Sequence, residues 1–421
     1  MRKDSILDRI DWTVVLLYFA MVILGWINIY AAVYEEEIAS EMLSLTYNPG
    51  KQLIWIGTSI LIIFGVVSLD YKFFDSFAYI IYGVMILLLI AVLLFGREVA
   101  GSTSWFQIGS FRFQPSEFTK FATALALAKY LGDIHVKMEN PKTQLIAAGI
   151  MFLPMILIVL QGDLGSAMVF AAFSIILFRE GISPIYFIVG IGLVILFVLT
   201  LLVSKMIIFI VSGVICLVII GASVKHPKRI IITILVALAI FATVTSVDFL
   251  MQNVLKPHQR TRVVSLVNPD ADPLGAGWNV TQSKIAIGSG GFFGKGFLEG
   301  TQTKFDFVPE QSTDFIFCTL GEEQGWLGSF IMITLFVIFL IRVSIIAERQ
   351  KTKFARIYGY GVLSVIFFHF AVNIAMTIGL FPVIGIPLPF FSYGGSSLWS
   401  FTALLFILLG LDANRMQVLM R

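Results

Sequence analysis

Charge is scarce in this sequence, and so are the residues that build metal and disulfide frameworks. Only 13% of its 421 residues are Asp, Glu, Lys or Arg, about half the share usual in a soluble chain. That is too little to cover a water-facing surface of this size, which excludes an ordinary soluble enzyme and a disordered chain. A net charge of +3 offers no basic patch, so nucleic acid is excluded as a partner. Cys216 and Cys318 both lie in apolar runs and cannot make a disulfide framework. Histidines stand scattered at 135, 226, 258 and 369, without zinc-ligand spacing. No H-E-x-x-H and no G-x-S-x-G is present. The run Gly288-Ser-Gly-Gly-Phe-Phe-Gly-Lys-Gly296 is not a P-loop, because Ser289 stands where its first glycine belongs and Gly296 where Ser or Thr belongs. No nucleotide cofactor is expected.

What the chain has in abundance is apolar length: 58% hydrophobic residues and a mean hydropathy of +0.93. A spanning helix needs about 20 mostly apolar residues. Twelve runs approach that, near 11–33, 53–69, 77–95, 116–131, 145–160, 166–178, 185–203, 206–222, 230–247, 326–347, 358–380 and 396–412. The expected fold is an all-α polytopic membrane protein of about twelve spans in a single domain over 1–421. The first run lacks a small-residue cleavage site and is expected to be a retained helix. With the N-terminus inside, the short inner segments hold seventeen Lys and Arg, against four outside (Lys51, Arg97, Arg112 and Lys205). This asymmetry puts both termini in the cytoplasm. The segments 96–115, 248–325 and 381–395 then face outward, so any chemistry is expected outside.

Polar groups within such a chain are costly, at least about 2.5–3.5 kcal/mol for a charge at mid-membrane. They gather in four places. Gln114-Pro-Ser-Glu117-Phe-Thr-Lys120 opens a helix at Pro115 and sets Glu117 and Lys120 three apart on one face. Glu117 suits a helix cap as well as a site, whereas Lys120 lies deeper and favours a pocket. Gln161-Gly-Asp163 is a polar turn in which Asp163 reads as a cap for the next segment. The long 248–325 loop carries Arg260, Arg262, Gln282, Ser283, Glu310, Thr313 and Asp314, with eight glycines between 275 and 300 that let backbone approach a ligand closely. Asp314 precedes Phe-Ile-Phe where the loop turns into the membrane; it could cap a helix, pair with Lys120 or act as a base. Finally, Asn373 is followed by an apolar segment from 381 to 397. Three prolines there forbid continuous helix, so it reads as a re-entrant segment packed in protein. Its Ser392-Tyr-Gly-Gly-Ser396-Ser end suits a structural turn or a polar ligand.

Four of these strings, FRFQPSEFTK (111–120), QGDLGSA (161–167), PEQSTDFIF (309–317) and PVIGIPLPFFSYGGSS (382–397), resemble the SEDS family of bacterial cell-wall polymerases. The loop string 272–296 adds a fifth, and the resemblance runs from about residue 11 to 412. Arg9-Ile-Asp-Trp12 is most similar to the elongation branch. The resemblance implies a glycosyltransferase that polymerises lipid II, the undecaprenyl-pyrophosphate disaccharide-pentapeptide, on the outer face of the cytoplasmic membrane. Its partners would be a class B penicillin-binding transpeptidase and other elongation-complex membrane proteins. It assigns catalytic roles to Asp314 and Lys120, and a substrate role to Trp105, although sequence alone favours an interfacial tryptophan there. Two features depart from the family. Lys51-Gln52 stands where Arg-Gln is usual. Three apolar runs fill 185–247 where the family has one, implying an added helix pair.

On this resemblance, Asp314 takes the proton of the attacking sugar hydroxyl. Lys51, Lys120, Arg260, Arg262 or a divalent cation (Mg²⁺ or Mn²⁺) offsets the pyrophosphate charge. Glu117, Gln282, Ser283, Glu310, Thr313, Ser392 and Ser396 are expected around the substrate. A single carboxylate suggests single displacement with inversion, by analogy with glycosidases. Two rivals stay open at this point: a lipid II flippase, which would carry polar residues through mid-membrane, and a scaffold, which would tolerate loss of Asp314.

Overall fold

A computed structural model describes residues 9–36, 39–99, 101–109, 111–249, 253, 276–305 and 307–415. The chain divides into two compact units, one of residues 1–182 with 279–421 and one of residues 183–278. Arg260 and Arg262 lie outside the described residues.

Helix starts follow the local chemistry. Asp11 caps α1 (Trp12–Ala32) at the Val14 amide, Asp70 caps α3 (Tyr71–Phe95) at Lys72, and Asn140 caps α5 (Pro141–Leu160) at Lys142. Each side-chain oxygen satisfies an amide that the helix leaves orphaned. Proline occupies the first turn of α2 (Asn48–Ser68), α4 (Pro115–Gly132) and α5, where its missing N–H costs nothing. Between α3 and α4 the chain forms a small antiparallel sheet of β1 (Arg97–Val99), β2 (Ser102–Ile108) and β3 (Phe111–Phe113), in that order. Trp105 pairs opposite Arg97, and Gln107 opposite Arg112. The sequence predicts only an outer loop over 96–115, and the structure adds a sheet there.

After α5 the chain runs through α6 (Leu164–Val169), a 3₁₀ turn (Phe170–Phe173) and α7 (Ser174–Arg179). The second unit holds α8 (Pro184–Leu202), α9 (Lys205–Ala222) and α10 (Pro227–Phe249). There follow α11 (Ala276–Ser289), α12 (Ile316–Glu323), α13 (Gly325–Glu348), α14 (Lys353–Thr377) and α15 (Gly395–Ala413). Among the described residues, the expected 248–325 loop therefore holds two helices.

Among the described residues, ten helices are long and apolar enough to cross a membrane. The expectation of twelve also counted 116–131 and 166–178, which differ for physical reasons. α4 carries Glu117, Lys120 and Lys129, and the 164–179 stretch is broken by its 3₁₀ turn. Both nonetheless run between the two ends of the first unit. α4 starts beside the small sheet, and its Lys129 reaches Asp75 near the start of α3 at 3.0 Å. Asp163 meets Gln114 at the sheet end, while Arg179 meets Glu348 at the other.

The first unit is layered by polarity. α15 is buried over 89% of its most apolar window, against 17% for α2 and α3, which expose Leu61, Phe64, Leu87 and Leu94 as a lipid-facing surface would. α4 is shielded in the interior, so its charges face protein rather than lipid. At the end away from the sheet, buried Asp11 takes Arg342 at 2.8 Å and Arg349 at 3.0 Å. Arg349 also pairs with Asp412, which accepts from Gln350 at 3.0 Å and Arg415 at 2.8 Å. This network ties together the ends of α1, α13 and α15.

Candidate functional site

The site is assembled around the segment joining α14 to α15. Residues 381–394 form neither helix nor strand, yet Ile386, Leu388, Phe390 and Phe391 are buried. Buried backbone without regular structure needs partners from elsewhere, and side chains provide them. Asn373 donates to the Ile386 carbonyl at 2.7 Å. His369 bonds the Pro387 carbonyl at 3.0 Å, and Ser392 Oγ accepts from the Leu388 amide at 2.9 Å. His369 and Asn373 lie eight and four residues before the end of α14, so the segment dips roughly 12 Å below that end at 1.5 Å per residue. The expected re-entrant path is present.

The strand of chain that carries Asp314 is laid against this segment. The Tyr393 amide donates to the Ser312 carbonyl at 2.9 Å, Ser392 Oγ to the Thr313 carbonyl at 2.6 Å, and Asn373 Nδ2 to the Asp314 carbonyl at 2.8 Å. Three consecutive carbonyls, 312 to 314, are thus fixed from one side. The Asp314 carboxylate is half-buried, and its Oδ2 lies 3.2 Å from where a Cβ on Gly385 would sit. Gly385 has φ +69°, and the absent side chain leaves room for the carboxylate.

Beneath lies a buried ion pair. Lys120 Nζ, on the second turn of α4, donates to Glu117 Oε1 at 2.6 Å. It also lies 2.9 Å from His369 Nε2 and 5.2 Å from the centre of the Phe401 ring. Lys120 is 1% and Glu117 3% exposed, and Glu117 Oε2 has no hydrogen-bond partner. The partners of Lys120 on α4 and α14 are therefore Glu117 and His369. It is linked to Asp314 through one turn of α14, residues 369 to 373.

The remaining expected residues fall into three groups. Lys51 stands in the first turn of α2, half-buried, its Nζ on the Thr46 carbonyl at 2.9 Å. Its helix neighbours hold the site: Asn48 donates to Ser312 Oγ at 3.1 Å, and Gln52 accepts from the Gly394 amide at 3.3 Å. Several hydroxyls are engaged with backbone. Ser396 Oγ donates to the Arg112 carbonyl at 3.4 Å and accepts from the Gln114 amide at 3.3 Å; Ser283, on α11, donates to Thr377 at 2.9 Å. Ser392 is engaged as above, and Thr313 Oγ1 meets Glu310 Oε2 at 2.9 Å, with Glu310 exposed at φ +56°. Gln282 is buried on α11, and Trp105 is half-buried on β2. Asp163 does cap α6, at the Ser166 amide.

Three residues of consequence escaped the sequence reading as site residues. His369 looked like one scattered histidine. Arg112, counted only for topology, is close to Tyr393: burial raises that phenol's pKa, and a Trp55 hydrogen bond and the Arg112 charge oppose the rise. Glu322 is a buried carboxylate that accepts from the Thr301, Gln302 and Thr303 amides at 2.8, 2.9 and 3.0 Å and from Lys295 at 2.6 Å. It pins the loop that leads to Asp314. Among the described residues, no three His, Cys, Asp or Glu side chains gather to hold a metal ion.

The arrangement offers a half-exposed carboxylate on a rigid backbone, a desolvated cation one helical turn away, and cationic side chains at the rim. Comparison with known proteins places the whole chain in a family. A family model described as "Cell cycle protein", for FtsW, RodA and SpoVE, matches residues 11–208 and 193–417. The peptidoglycan glycosyltransferase RodA of Treponema pallidum is 34% identical over 96% of this chain and 98% of its own. The peptidoglycan glycosyltransferase MrdB of Escherichia coli K12 is 31% identical over 94% and 92%. A chain solved in work on structural coordination of polymerization and crosslinking by a peptidoglycan synthase complex superposes with TM-score 0.71 at 26% identity, covering 97% of this chain and 99% of that one. The rod shape determining protein RodA of Thermus thermophilus shares the fold, with TM-score 0.62 at 24% identity over 96% and 97%. With the family's model matched along nearly its whole length, this chain belongs to the FtsW/RodA/SpoVE family of multi-pass membrane proteins.

Proposed function

We propose that this protein is a peptidoglycan glycosyltransferase that polymerises lipid II during cell elongation, with Asp314 as general base. The observation that carries the reading is Asp314 itself: a half-exposed carboxylate whose carbonyl, and the two before it, are fixed by Asn373, Ser392 and Tyr393. A base must be held within hydrogen-bond reach of the hydroxyl it deprotonates, and this backbone clamp suits that task. Names of relatives at 34% and 31% identity over most of the chain support the activity.

In the step, the acceptor hydroxyl oxygen attacks the anomeric carbon of the donor and a glycosidic C–O bond forms. The bond from that carbon to the pyrophosphate oxygen breaks, and its electron pair leaves with undecaprenyl pyrophosphate. The hydroxyl proton goes to Asp314. Attack from the face opposite the leaving group inverts the anomeric centre. Lys51 supplies positive charge toward the pyrophosphate, and Arg112, near Tyr393, adds to it. Lys120, desolvated and paired, preorganises the field beneath Asp314. A Mg²⁺ or Mn²⁺ ion would arrive bound to the donor pyrophosphate, as such ions commonly do.

The Lys and Arg asymmetry supports cytoplasmic termini and an outward-facing sheet end, in the bacterial cytoplasmic membrane. A class B penicillin-binding transpeptidase and further elongation-complex membrane proteins are the proposed partners, in keeping with the likeness to a chain of a synthase complex. The test is to incubate the purified full-length chain, with and without a transpeptidase, with fluorescent lipid II. Glycan strands resolved on a gel are expected. Transfer of labelled lipid II across vesicle membranes with no polymer would overturn the reading in favour of a flippase.

A further inference from the structure

The buried His369 has no part in the chemistry above, yet it touches both halves of the site. Its Nδ1 is 3.0 Å from the Pro387 carbonyl oxygen. A carbonyl only accepts, so Nδ1 carries a hydrogen. Its Nε2 is 2.9 Å from Lys120 Nζ, and an ammonium only donates, so Nε2 presents its lone pair. The two neighbours together select one species, a neutral ring protonated at Nδ1. The ring stands perpendicular to Phe401, 4.8 Å between centres at 90°, and Lys120 Nζ lies over the same Phe401 ring. Its orientation is thus fixed on three sides.

One turn along α14, Asn373 does the corresponding work for the other half. It joins the Asp314 carbonyl to the Ile386 carbonyl. His369 and Asn373 therefore grip consecutive carbonyls of one irregular segment, 387 and 386. His369 connects that segment to Lys120, and Asn373 connects it to Asp314. Two of the three ammonium hydrogens of Lys120 are directed at Glu117 and His369, and tetrahedral geometry then sets the direction of the third.

We propose that His369 is a positioning residue for glycosyl transfer: by bridging Lys120 to the Pro387 carbonyl, it sets the Lys120 ammonium at a fixed separation from Asp314. The proposal rests on the polymerase reading above. It differs from a purely structural role in requiring both ring nitrogens, each for a different bond.

Three substitutions in the full-length chain separate these possibilities. His369→Phe keeps the ring and loses both bonds, His369→Asn keeps a donor near the Nδ1 position, and His369→Gln keeps an acceptor near the Nε2 position. A displacement of about 1 Å can cost on the order of 100-fold in rate, and a loss of that size in kcat is expected for His369→Phe, with KM nearly unchanged. The Asn and Gln variants are expected to fall between it and wild type. A His369→Phe enzyme within about threefold of wild type would overturn the proposal, as would losses in all three variants that follow only the folded fraction. A second measurement does not depend on turnover. ¹⁵N-histidine NMR of the full chain, with His369 assigned through the Phe variant, is expected to show a neutral Nδ1–H ring. A cationic ring or the Nε2–H tautomer would overturn the proposal. Failure of wild type to polymerise would instead count against the function, leaving the NMR result to decide the bonding of His369.

Discussion

The amide nitrogen of Asn373 lies 2.8 Å from the carbonyl oxygen of Asp314 and 2.7 Å from that of Ile386, so one side chain joins the reactive strand to the re-entrant segment. Asn373→Asp preserves the shape and removes both donors. Two buried carbonyls then lose their partner, at a cost of about 1–3 kcal/mol each. A lower unfolding temperature and a more than roughly tenfold loss of polymerisation are expected, the latter because Asp314 loses its anchor. Thermal unfolding in detergent and a lipid II assay measure the two effects separately.

The Lys120–Glu117 pair is buried on both sides. Lys120→Met leaves a carboxylate without its cation, and breaking a buried pair from one side costs about 3–5 kcal/mol. Combining it with Glu117→Gln removes the uncompensated charge. The double variant is expected to unfold at a higher temperature than Lys120→Met while remaining as inactive. Equal unfolding temperatures would show that the pair is not coupled in the folded state.

Gly385 gives a steric test. Its φ of +69° is one that side chains rarely adopt, and an added methyl would sit 3.2 Å from Asp314 Oδ2. Gly385→Ala is expected to cost about 1–3 kcal/mol in backbone strain and to displace the carboxylate. A fall in kcat larger than any change in KM checks the displacement.

The adjacent glutamates at the end of α12 carry opposite pH dependences. Burial pushes Glu323 up to about 7 against the Leu298 amide, with the charges of Glu322 and Glu299 adding to the rise. Burial acts the same way on Glu322, but the Gln302 amide, Lys295, and the Thr303 and Thr301 amides outweigh it and hold that carboxyl at about 2. Between the unperturbed 4.5 and about 7, folded Glu323 binds more proton than the unfolded chain. Its contribution is therefore complete below 4.5 and lost as pH rises through 7. Glu322 does the reverse, contributing above 4.5 and losing that contribution as pH falls toward 2. Unfolding temperatures from pH 5 to 8 are expected to fall more steeply for wild type than for Glu323→Gln, a difference of at most about 3 kcal/mol.

The sequence made much of this visible because lipid makes polarity conspicuous. Pro115 with Glu117 and Lys120, the Asp163 cap, and the proline-broken 381–397 segment were each legible from local chemistry, and the structure uses all of them. Other features were hidden for identifiable reasons. His369 finds its partners at Lys120 and Pro387, and no spacing on α14 announces either. Glu322 is satisfied largely by backbone amides of 301–303, which carry no side-chain signal. Two of the twelve expected spans, α4 and 164–179, are less apolar or broken because they pack in a protein interior, where lipid does not demand an unbroken apolar helix. The hydroxyls of Ser283, Ser392 and Ser396 looked like ligand contacts, yet each is engaged with backbone, a use that any irregular buried segment creates.

The most direct test compares polymerisation rates of wild type and Asp314→Asn, purified full-length under the same conditions with unfolding temperatures matched. Asparagine keeps the size of the side chain and one acceptor oxygen, and it removes the basicity. A general base is worth about 10²–10⁴-fold, so a rate at least roughly 100-fold lower with lipid II binding retained is the predicted result. A rate within about fivefold of wild type would contradict the assignment of Asp314 as the base.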